Sequence, residues 1–288
     1  MTVLSATSTS LVVGAGGMIG RALAEHLERQ GRRVVRTTRS PDPNALTLDL
    51  SKDVSAWTPP SDVETAYLCA AVVSLDQCRK DPAAAFAVNV TGTVSLARSL
   101  LQRGAHVVFL STNLVFDGSL ARPRSDAPVA PRTEYGRQKA EAERQLMALS
   151  DRVSIVRLSK VMGPRTPLLS RWAEDLRQGR TIHPFSDMPV APVPLDFVVE
   201  VLFRVGQERL QGILHVSGQE EVTYEAVAHR IAQRLGAPQR LVVPIPAAAS
   251  GLNLEHVPRH AALDITRLQS ELGMTPPDIW TTIDKGFA

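Results

Sequence analysis

The stretch Ser10-Leu11-Val12-Val13-Gly14-Ala15-Gly16-Gly17-Met18-Ile19-Gly20 decides the fold. Its first four residues form an apolar run that ends at glycine, which predicts a short buried strand. The next ten residues, 21–30, place Leu23 and Leu27 at helical spacing after Ile19. The glycines therefore lie in a strand-to-helix turn, which is the context in which a glycine-rich loop binds a dinucleotide.

Each glycine has a separate physical task in such a turn. Gly14 permits a tight turn, Gly17 lets the backbone approach a pyrophosphate, and Gly20 lets the helix pack closely against the strand. The helix N-terminus then directs free N–H groups at the phosphates. We expect the cofactor to contact Gly14, Gly17, Met18, Ile19 and Gly20. A glycine-rich turn without a ligand is the alternative interpretation.

The second predicted strand, 33–39, indicates which dinucleotide is bound. An NAD-binding sheet usually carries Asp or Glu at the end of this strand, where the acid bonds the ribose 2′-OH. That position falls near Thr38, and the strand has no acid there, whereas Arg36 and Arg39 flank it. Arginine pairs with a 2′-phosphate through forked, charge-assisted hydrogen bonds, so we expect Arg36, Thr38 and Arg39 to favour NADP over NAD. The alternative is a solvated basic edge.

Two later strands bring further residues to the same edge of the sheet. The segment 63–71 reads as a strand that ends in Ala70 and Ala71, whose small side chains would let a cofactor lie against the backbone. The apolar run 106–110 predicts another strand, which delivers Thr112 at its carboxyl end, where open α/β sheets bind ligands. The intervening segment 82–103 carries a long helix pattern that contains Asn89, which is either functional or an ordinary buried helix asparagine.

Three further motifs carry a family resemblance that covers nearly the whole chain: Ser111-Thr112-x-x-Val115-Phe116-Asp117-Gly118, Tyr135-Gly136-x-x-Lys139, and Val156-Arg157-Leu158. With the G-x-x-G-x-x-G spacing at 14–20, the chain resembles the dTDP-4-dehydrorhamnose reductase-like branch of the extended short-chain dehydrogenase/reductase superfamily. The resemblance implies an α/β fold, a doubly wound parallel Rossmann sheet with a smaller C-terminal substrate-binding lobe. It also implies cofactor contacts at Asp49, Leu50, Tyr135, Lys139 and Leu158.

The same resemblance and the pattern of elements predict the domain organisation. Residues 1–159 would form the dinucleotide-binding domain, which a helix near 194–208 rejoins. Residues 160–193 and 218–288 would form the substrate-binding lobe.

The predicted catalytic residues are Thr112, Tyr135 and Lys139. Reduction of a carbonyl needs a proton on oxygen, which Tyr135 would supply, but a free phenol titrates near pH 10. Lys139 lies one helical turn further on, so its charge would lower the pKa of Tyr135 and its ammonium would bond the nicotinamide ribose. Thr112 would donate a hydrogen bond to the same oxygen. A surface pair at i, i+4 is the alternative for the tyrosine and the lysine.

The presumed substrate contacts depart from that branch. Where the branch has Ser-Thr-Asp-Tyr, this chain has Asn113 and Leu114 after the threonine, and Lys160 replaces an aromatic wall. The predicted substrate-binding residues are Val73, Asn113, Leu114, Lys160 and Arg165. The catalytic set is kept while these contacts change, so reductase chemistry is expected and dTDP-4-dehydrorhamnose itself is doubtful as the substrate.

We therefore expect an NADPH-dependent reductase of a keto group, on a nucleotide-linked 4-keto-6-deoxysugar. One alternative is a non-catalytic cofactor-binding regulatory subunit that resembles the methionine adenosyltransferase beta subunit. Another is a sugar-nucleotide epimerase, which shares the same three catalytic residues.

Composition excludes several other classes. The 288 residues carry a formal net charge of +3 with scattered arginines, which does not predict a nucleic-acid-binding face. Two cysteines and seven histidines without metal spacing predict neither a disulfide framework nor a metal site. No signal-peptide layout or membrane-spanning run stands out, so a cytoplasmic enzyme is expected, with a homodimer as one candidate assembly.

Overall fold

The computed structural model describes residues 8–287. Residues 1–7, on which the signal-peptide argument depends, and residue 288 lie outside the described residues. The chain divides into two compact units. Of the described residues, unit 1 comprises 8–115, 129–157 and 198–214, and unit 2 comprises 116–128, 158–197 and 215–287.

The strands are β1 (Thr9–Val13), β2 (Arg33–Thr38), β3 (Leu46–Thr47), β4 (Val63–Leu68), β5 (His106–Thr112), β6 (Val153–Leu158), β7 (Val161–Met162), β8 (Pro189–Val190), β9 (Val193–Pro194), β10 (Gly212–Val216) and β11 (Val222–Thr223). The helices are α1 (Met18–Arg29), α2 (Leu75–Lys80), α3 (Pro82–Phe86), α4 (Thr93–Gln102), α5 (Glu134–Leu149), α6 (Pro167–Arg177), α7 (Leu195–Glu208), α8 (Tyr224–Leu235), α9 (Thr266–Leu272) and α10 (Ile279–Phe287).

Seven strands form one sheet in the order β10-β6-β5-β4-β1-β2-β3. The pairs β1–β2, β1–β4, β2–β3 and β4–β5 are parallel. The order reverses direction beside β1, between the neighbours β2 and β4, which is the topological switch point where doubly wound sheets bind dinucleotides. The predicted doubly wound Rossmann sheet is confirmed.

The sheet forms because its central strands are apolar on both faces. Every residue of β1 and β5 is buried, as a parallel sheet covered on two faces requires. Helices pack on the sheet through apolar stripes; α4, for example, buries Leu96, Ala97 and Leu100 in the core of unit 1. The predicted helix near 194–208 is α7, of which all but the first three residues belong to unit 1.

The long helix pattern at 82–103 is one continuous helical segment with an interruption. A π-helical stretch, Ala87–Gly92, joins α3 to α4, and π-bulges occur often at functional sites. By length and hydropathy, residues 82–102 would suffice to cross a membrane, which the sequence analysis did not single out. Because 56 % of the apolar window is buried inside the protein, the segment matches the core helix of a folded unit.

Unit 2 has a core of its own. The helices α6, α8 and α10 pack together around Leu169, Trp172, Ile231 and Ile283. Short strand pairs, β7 with β9 and β8 with β11, complete it.

The segment 116–128 belongs to unit 2, whereas the sequence analysis placed it in the first domain. Hydrogen bonds within unit 2 hold it. The His256 Nε2 lies 2.6 Å from the carbonyl oxygen of Asp117, and the backbone N–H of His260 donates to Gly118. These partners lie about 140 residues along the chain, so local pattern could not reveal them.

Candidate active site

The glycine turn has the geometry of a phosphate-binding cradle. Gly14 has φ +86°, and a Cβ there would lie 2.8 Å from the backbone of Ala70. A Cβ on Gly20 would overlap the carbonyl oxygen of Gly14. Gly17 differs, because a Cβ there would meet only that carbonyl oxygen, at 3.4 Å. Packing within the protein explains Gly14 and Gly20, whereas at Gly17 the protein leaves space.

The first turn of α1 is suited to an anion. Gly17 is the N-cap and offers no side-chain hydrogen bond, and the first turn carries no acidic residue. The first N–H groups of a helix lack partners within it, and they point out of this end. The residues present therefore fit a dinucleotide pyrophosphate, with Met18 and Ile19 in that first turn and Gly20 packed beneath it.

A groove of about 630 Å³ lies beside the cradle in unit 1. The glycine turn, one side of α1 and the alternate β2 residues Val34, Arg36 and Thr38 line it. Arg39 follows as an exposed residue, whereas the hydroxyl of Thr38 donates to the carbonyl of Ser40 at 2.8 Å.

Arg36 does not stand free in this groove. Its Nη2 and Nε donate to the two carboxylate oxygens of Glu28 at 2.8 and 3.2 Å. This pairing could not be seen in the sequence of β2, because Glu28 lies on α1. Arg21 was also missed; it lines the groove, and its Nη2 donates to the carbonyl of Gly16 at 3.2 Å.

Asp49 and Leu50 follow β3. The Asp49 carboxylate accepts hydrogen bonds from the hydroxyl and N–H of Ser51, and these bonds lower the pKa of Asp49. Leu50 buries its side chain in the core of unit 1, and its carbonyl lies against the backbone of Gly92 in the π-helical stretch. Only the backbone of Leu50 therefore remains for a cofactor contact.

Buried Asn89 anchors the loop that follows β4. Ala70 and Ala71 are half-buried, and Ala70 packs on Gly14. Buried Asn89, within the π-helical stretch, accepts from the N–H of Val72 at 2.8 Å and donates to the carbonyl of Val72 at 3.0 Å. Asn89 also donates to the side chain of Gln138 on α5, at 2.9 Å. It therefore ties the loop after β4 to the helix that carries Tyr135 and Lys139.

The segments that carry the predicted catalytic residues pack against each other within unit 1. Thr112 ends β5, and its hydroxyl accepts from the N–H of Leu114 at 3.2 Å. A Cβ on Gly136 would overlap the carbonyl oxygen of Leu114, so the start of α5 lies directly on the turn after Thr112. Thr133 caps α5 by accepting from the N–H of Gly136 at 3.0 Å. The segment with Tyr135 is thereby fixed against the segment with Thr112.

Lys139 is a buried ammonium, with 2 % of its surface exposed. Its Nζ lies 3.7 Å from the ring centroid of Phe109 on β5, a cation–π contact. Burial lowers the pKa of Lys139 to about 7, although the negative charge of Glu143 opposes this shift. A lysine buried against β5 is not part of a surface pair, so that alternative does not hold for Lys139.

Tyr135 behaves differently from the expectation. Burial raises the pKa of its phenol above its usual range, and Cys78 adds to this shift. The expectation that Lys139 lowers that pKa is wrong, because burial of the phenol dominates the shift and Lys139 is itself desolvated. The phenol of the half-buried Tyr135 is therefore held in its protonated form.

A buried network that sequence reasoning missed lies behind Lys139. Glu143, one turn further along α5, pairs with Arg157 on β6, with Arg157 Nη2 2.7 Å from a carboxylate oxygen. The hydroxyl of Ser111 also donates to Glu143. In the sequence, Glu143 is indicated by its position four residues after Lys139, which places it one helical turn away.

The predicted substrate residues lie in both units. In unit 1, Val73 is exposed, and Asn113 and Leu114 are half-buried in the 3₁₀ turn after Thr112. In unit 2, Lys160 and Arg165 are exposed, and Arg165 has a left-handed backbone with φ 54°. Leu158, expected at the cofactor, is buried at the end of β6 in unit 2.

Comparison with known proteins agrees with this geometry. The model of the RmlD substrate binding domain family matches residues 8–285. The dTDP-4-keto-6-deoxy-D-glucose reductase of Streptomyces niveus is 31 % identical over 284 residues, covering 96 % of this chain and 95 % of the relative. The dTDP-4-dehydrorhamnose reductase of Streptomyces griseus is 30 % identical over 280 residues, covering 94 % and 90 %.

Solved structures show the same fold. A dTDP-4-dehydrorhamnose reductase from Clostridium acetobutylicum superposes with a TM-score of 0.86 at 22 % identity, over 96 % of this chain and 98 % of that one. The Bacillus anthracis dTDP-4-dehydrorhamnose reductase in complex with NADP gives 0.83 at 20 % identity, over 98 % of each chain. MoeE5 in complex with UDP-glucose and NAD gives 0.82 at 22 % identity, over 97 % of each chain.

A family model that spans nearly all of the described residues, relatives named as reductases and a Rossmann sheet with the predicted residues at its carboxyl edge agree with one another. The chain therefore belongs to the RmlD substrate binding domain family, within the dTDP-4-dehydrorhamnose reductase-like branch of the extended short-chain dehydrogenase/reductases, and is an NAD(P)-dependent oxidoreductase.

Proposed function

We propose that the protein reduces the keto group of a nucleotide-linked 4-keto-6-deoxysugar with NADPH. The observation that carries the proposal is the buried ammonium of Lys139, held over Phe109 one helical turn after Tyr135. A buried lysine beside a protonated phenol serves proton delivery to a carbonyl oxygen. The names of the two Streptomyces relatives support a keto sugar as the substrate class.

The side chains divide the work as follows. Bound NADPH supplies the hydride for the carbonyl carbon. Tyr135 donates its phenolic proton to the carbonyl oxygen, and its raised pKa keeps that proton in place until the oxygen becomes basic. Thr112 donates a hydrogen bond to the same oxygen and stabilises its developing charge. Lys139 binds the nicotinamide ribose, and its charge then stabilises the phenolate that remains.

The preference for NADPH is supported at the end of β2. The strand contains no acid, and exposed Arg39 follows it directly. We expect NADPH to bind at least tenfold more tightly than NADH, about 1.4 kcal/mol. Fluorescence titration of both cofactors measures this, and Arg39→Ala should reduce the difference. Equal affinities in the parent protein would overturn the NADPH preference.

Recognition of the sugar nucleotide is proposed for unit 2. Lys160 and Arg165 are exposed cations that follow β6, and arginine suits a diphosphate through its forked donors. Arg165→Ala should mainly raise KM, because a remote phosphate contact is similar in the ground and transition states. Reduction of a free keto sugar as efficiently as its nucleotide-linked form would contradict this assignment.

One experiment separates the proposal from its alternatives. NADPH oxidation is followed across a panel of nucleotide-linked keto sugars, with the parent protein and with Tyr135→Phe. Turnover that depends on Tyr135 supports a reductase. Cofactor binding without turnover of any keto sugar would favour the regulatory subunit, and interconversion of sugar epimers without net NADPH oxidation would favour the epimerase.

A further inference from the structure

The pair Glu28–Arg36 is the structural feature that the proposed function does not use. It is forked, with Arg36 Nη2 and Nε bonded to the two carboxylate oxygens of Glu28. The Arg36 side chain is 21 % exposed, so the guanidinium lies against the floor of the groove rather than in open solvent. Both donors on this side of the guanidinium are occupied.

The pair lies in the groove where an adenosine ribose would lie. The groove joins the glycine turn to Arg36 and Thr38, which share one face of β2 because strand residues alternate between faces. Dinucleotide-binding sheets contact the ribose 2′ substituent at the carboxyl end of this strand. Arg36 therefore lies two residues before the position that reads this substituent.

The pairing directs Arg36 away from that position. Glu28 is the eleventh residue of α1, so it lies about 15 Å along the helix axis from the N-terminus that faces the phosphates. The helix runs back along the sheet from that end. A guanidinium bonded to Glu28 is therefore drawn toward the start of β2, and Thr38 ends the strand in the opposite direction.

The other charged side chains of the groove do not make it positive overall. Its other charged side chains are Arg21, Glu25 and Asp42, so carboxylates outnumber guanidinium groups when Glu28 and Arg36 are counted. Apart from Arg39, which follows β2, a doubly charged 2′-phosphate would therefore meet a groove lining that is net negative, with Arg36 already bonded to Glu28.

We propose that Glu28 is a specificity-determining residue, which withholds Arg36 from the ribose 2′-phosphate and so limits how strongly the protein prefers NADP over NAD. This inference rests on the proposed function, since it requires a dinucleotide at the glycine cradle. Glu28 on α1 would thereby favour NAD, as an acidic residue at the end of β2 does in NAD-binding sheets. Removal of its charge should release Arg36 to the phosphate.

The test compares dissociation constants for NADP⁺ and NAD⁺, measured by calorimetry in four proteins: the parent, Glu28→Gln, Glu25→Gln, and Glu28→Gln combined with Arg36→Gln. Glu25 lines the same groove about one turn earlier, so Glu25→Gln makes the same charge change without breaking the pair. These are exposed or half-exposed polar positions, and at Glu25 and Glu28 the glutamine keeps the shape of the side chain that it replaces.

We expect Glu28→Gln to tighten NADP⁺ binding relative to NAD⁺ by about threefold or more, as is typical for release of one partly exposed ion pair. Glu25→Gln should give a clearly smaller change, and the gain should vanish in the double variant. An equal gain in Glu25→Gln, a gain that survives loss of Arg36, or an unchanged ratio in Glu28→Gln would each overturn the inference alone. A parent protein that binds neither dinucleotide would refute the proposed function, and this inference with it.

Discussion

Alanine substitutions at Gly17 and Gly20 should separate a glycine required by the ligand from one required by the fold. At Gly17 the backbone has φ −77°, which alanine adopts freely, and the new Cβ would meet only the carbonyl oxygen of Gly14 at 3.4 Å. The weaker N-cap preference of alanine and the reduced entropy of the unfolded chain act in opposite directions. The free energy of unfolding of Gly17→Ala should therefore stay within about 1 kcal/mol of the parent.

Gly20→Ala should behave in the opposite way. Its Cβ would overlap the carbonyl oxygen of Gly14 and lie 2.9 Å from the carbonyl carbon, inside a buried contact between helix and strand. Overpacking of this kind costs about 1–3 kcal/mol, and the unfolding free energy should fall by that amount. Urea denaturation of both variants measures the difference.

The binding of NADPH should show the reverse order of effects in folded protein. A methyl group on Gly17 occupies the space in which a pyrophosphate would approach the helix N-terminus. Loss of one hydrogen bond to a charged phosphate costs about 1.5–3 kcal/mol, which corresponds to roughly 10- to 100-fold in Kd. Fluorescence titration of folded Gly17→Ala measures this. A Kd equal to the parent value would refute the assignment of this turn as the phosphate cradle.

Three further predictions test other parts of unit 1. Tyr135→Phe should lower kcat by about 10²–10⁴-fold at unchanged Kd for NADPH, whereas Lys139→Met should impair both, and steady-state rates with titrations check this. Burial, aided by nearby arginines, lowers the pKa of His106 to about 4, so its contribution to stability is intact above pH 6.5 and is lost as the pH falls from 6.5 toward 4. Thermal melts at pH 7.5 and 5 should therefore show a loss on the order of 2 kcal/mol that His106→Gln lacks, and identical pH slopes would contradict it. Gly206→Ala should destabilise by about 1–3 kcal/mol in urea melts because its Cβ would overlap the hydroxyl of Tyr67, and a loss that is not smaller in a Tyr67→Phe background would show another cause.

The sheet and the cofactor turn could be predicted because their signals are local. Apolar runs such as Leu11–Val13 have to be buried on both faces of a parallel sheet, and glycine after such a run marks the turn. The pair Tyr135 and Lys139 was visible because four residues make one helical turn. The geometry of these segments follows from backbone periodicity alone.

The features that the sequence did not predict depend on residues that are distant from one another in the chain. The pairing of Arg36 with Glu28 joins a strand to a helix, and the assignment of residues 116–128 to unit 2 depends on residues beyond 250. The direction of the Tyr135 pKa shift depends on how deeply α5 is buried, which spacing does not reveal. The π-helical stretch around Asn89 needs one extra residue per turn, and no residue type signals it reliably.

The five passages of the chain between the units have a consequence for synthesis on the ribosome. The edge strand β10 pairs with β6, and it ends at Val216 of 288 residues. About three quarters of the polypeptide must therefore leave the exit tunnel before the central sheet is complete, although domains often fold as N-terminal units during translation. Until β10 emerges, the edge of β6 that faces away from β5 has no partner strand. While the segment from Leu158 to Val216 is synthesised, about a fifth of the chain, the nascent polypeptide therefore carries an apolar strand with one unpaired edge.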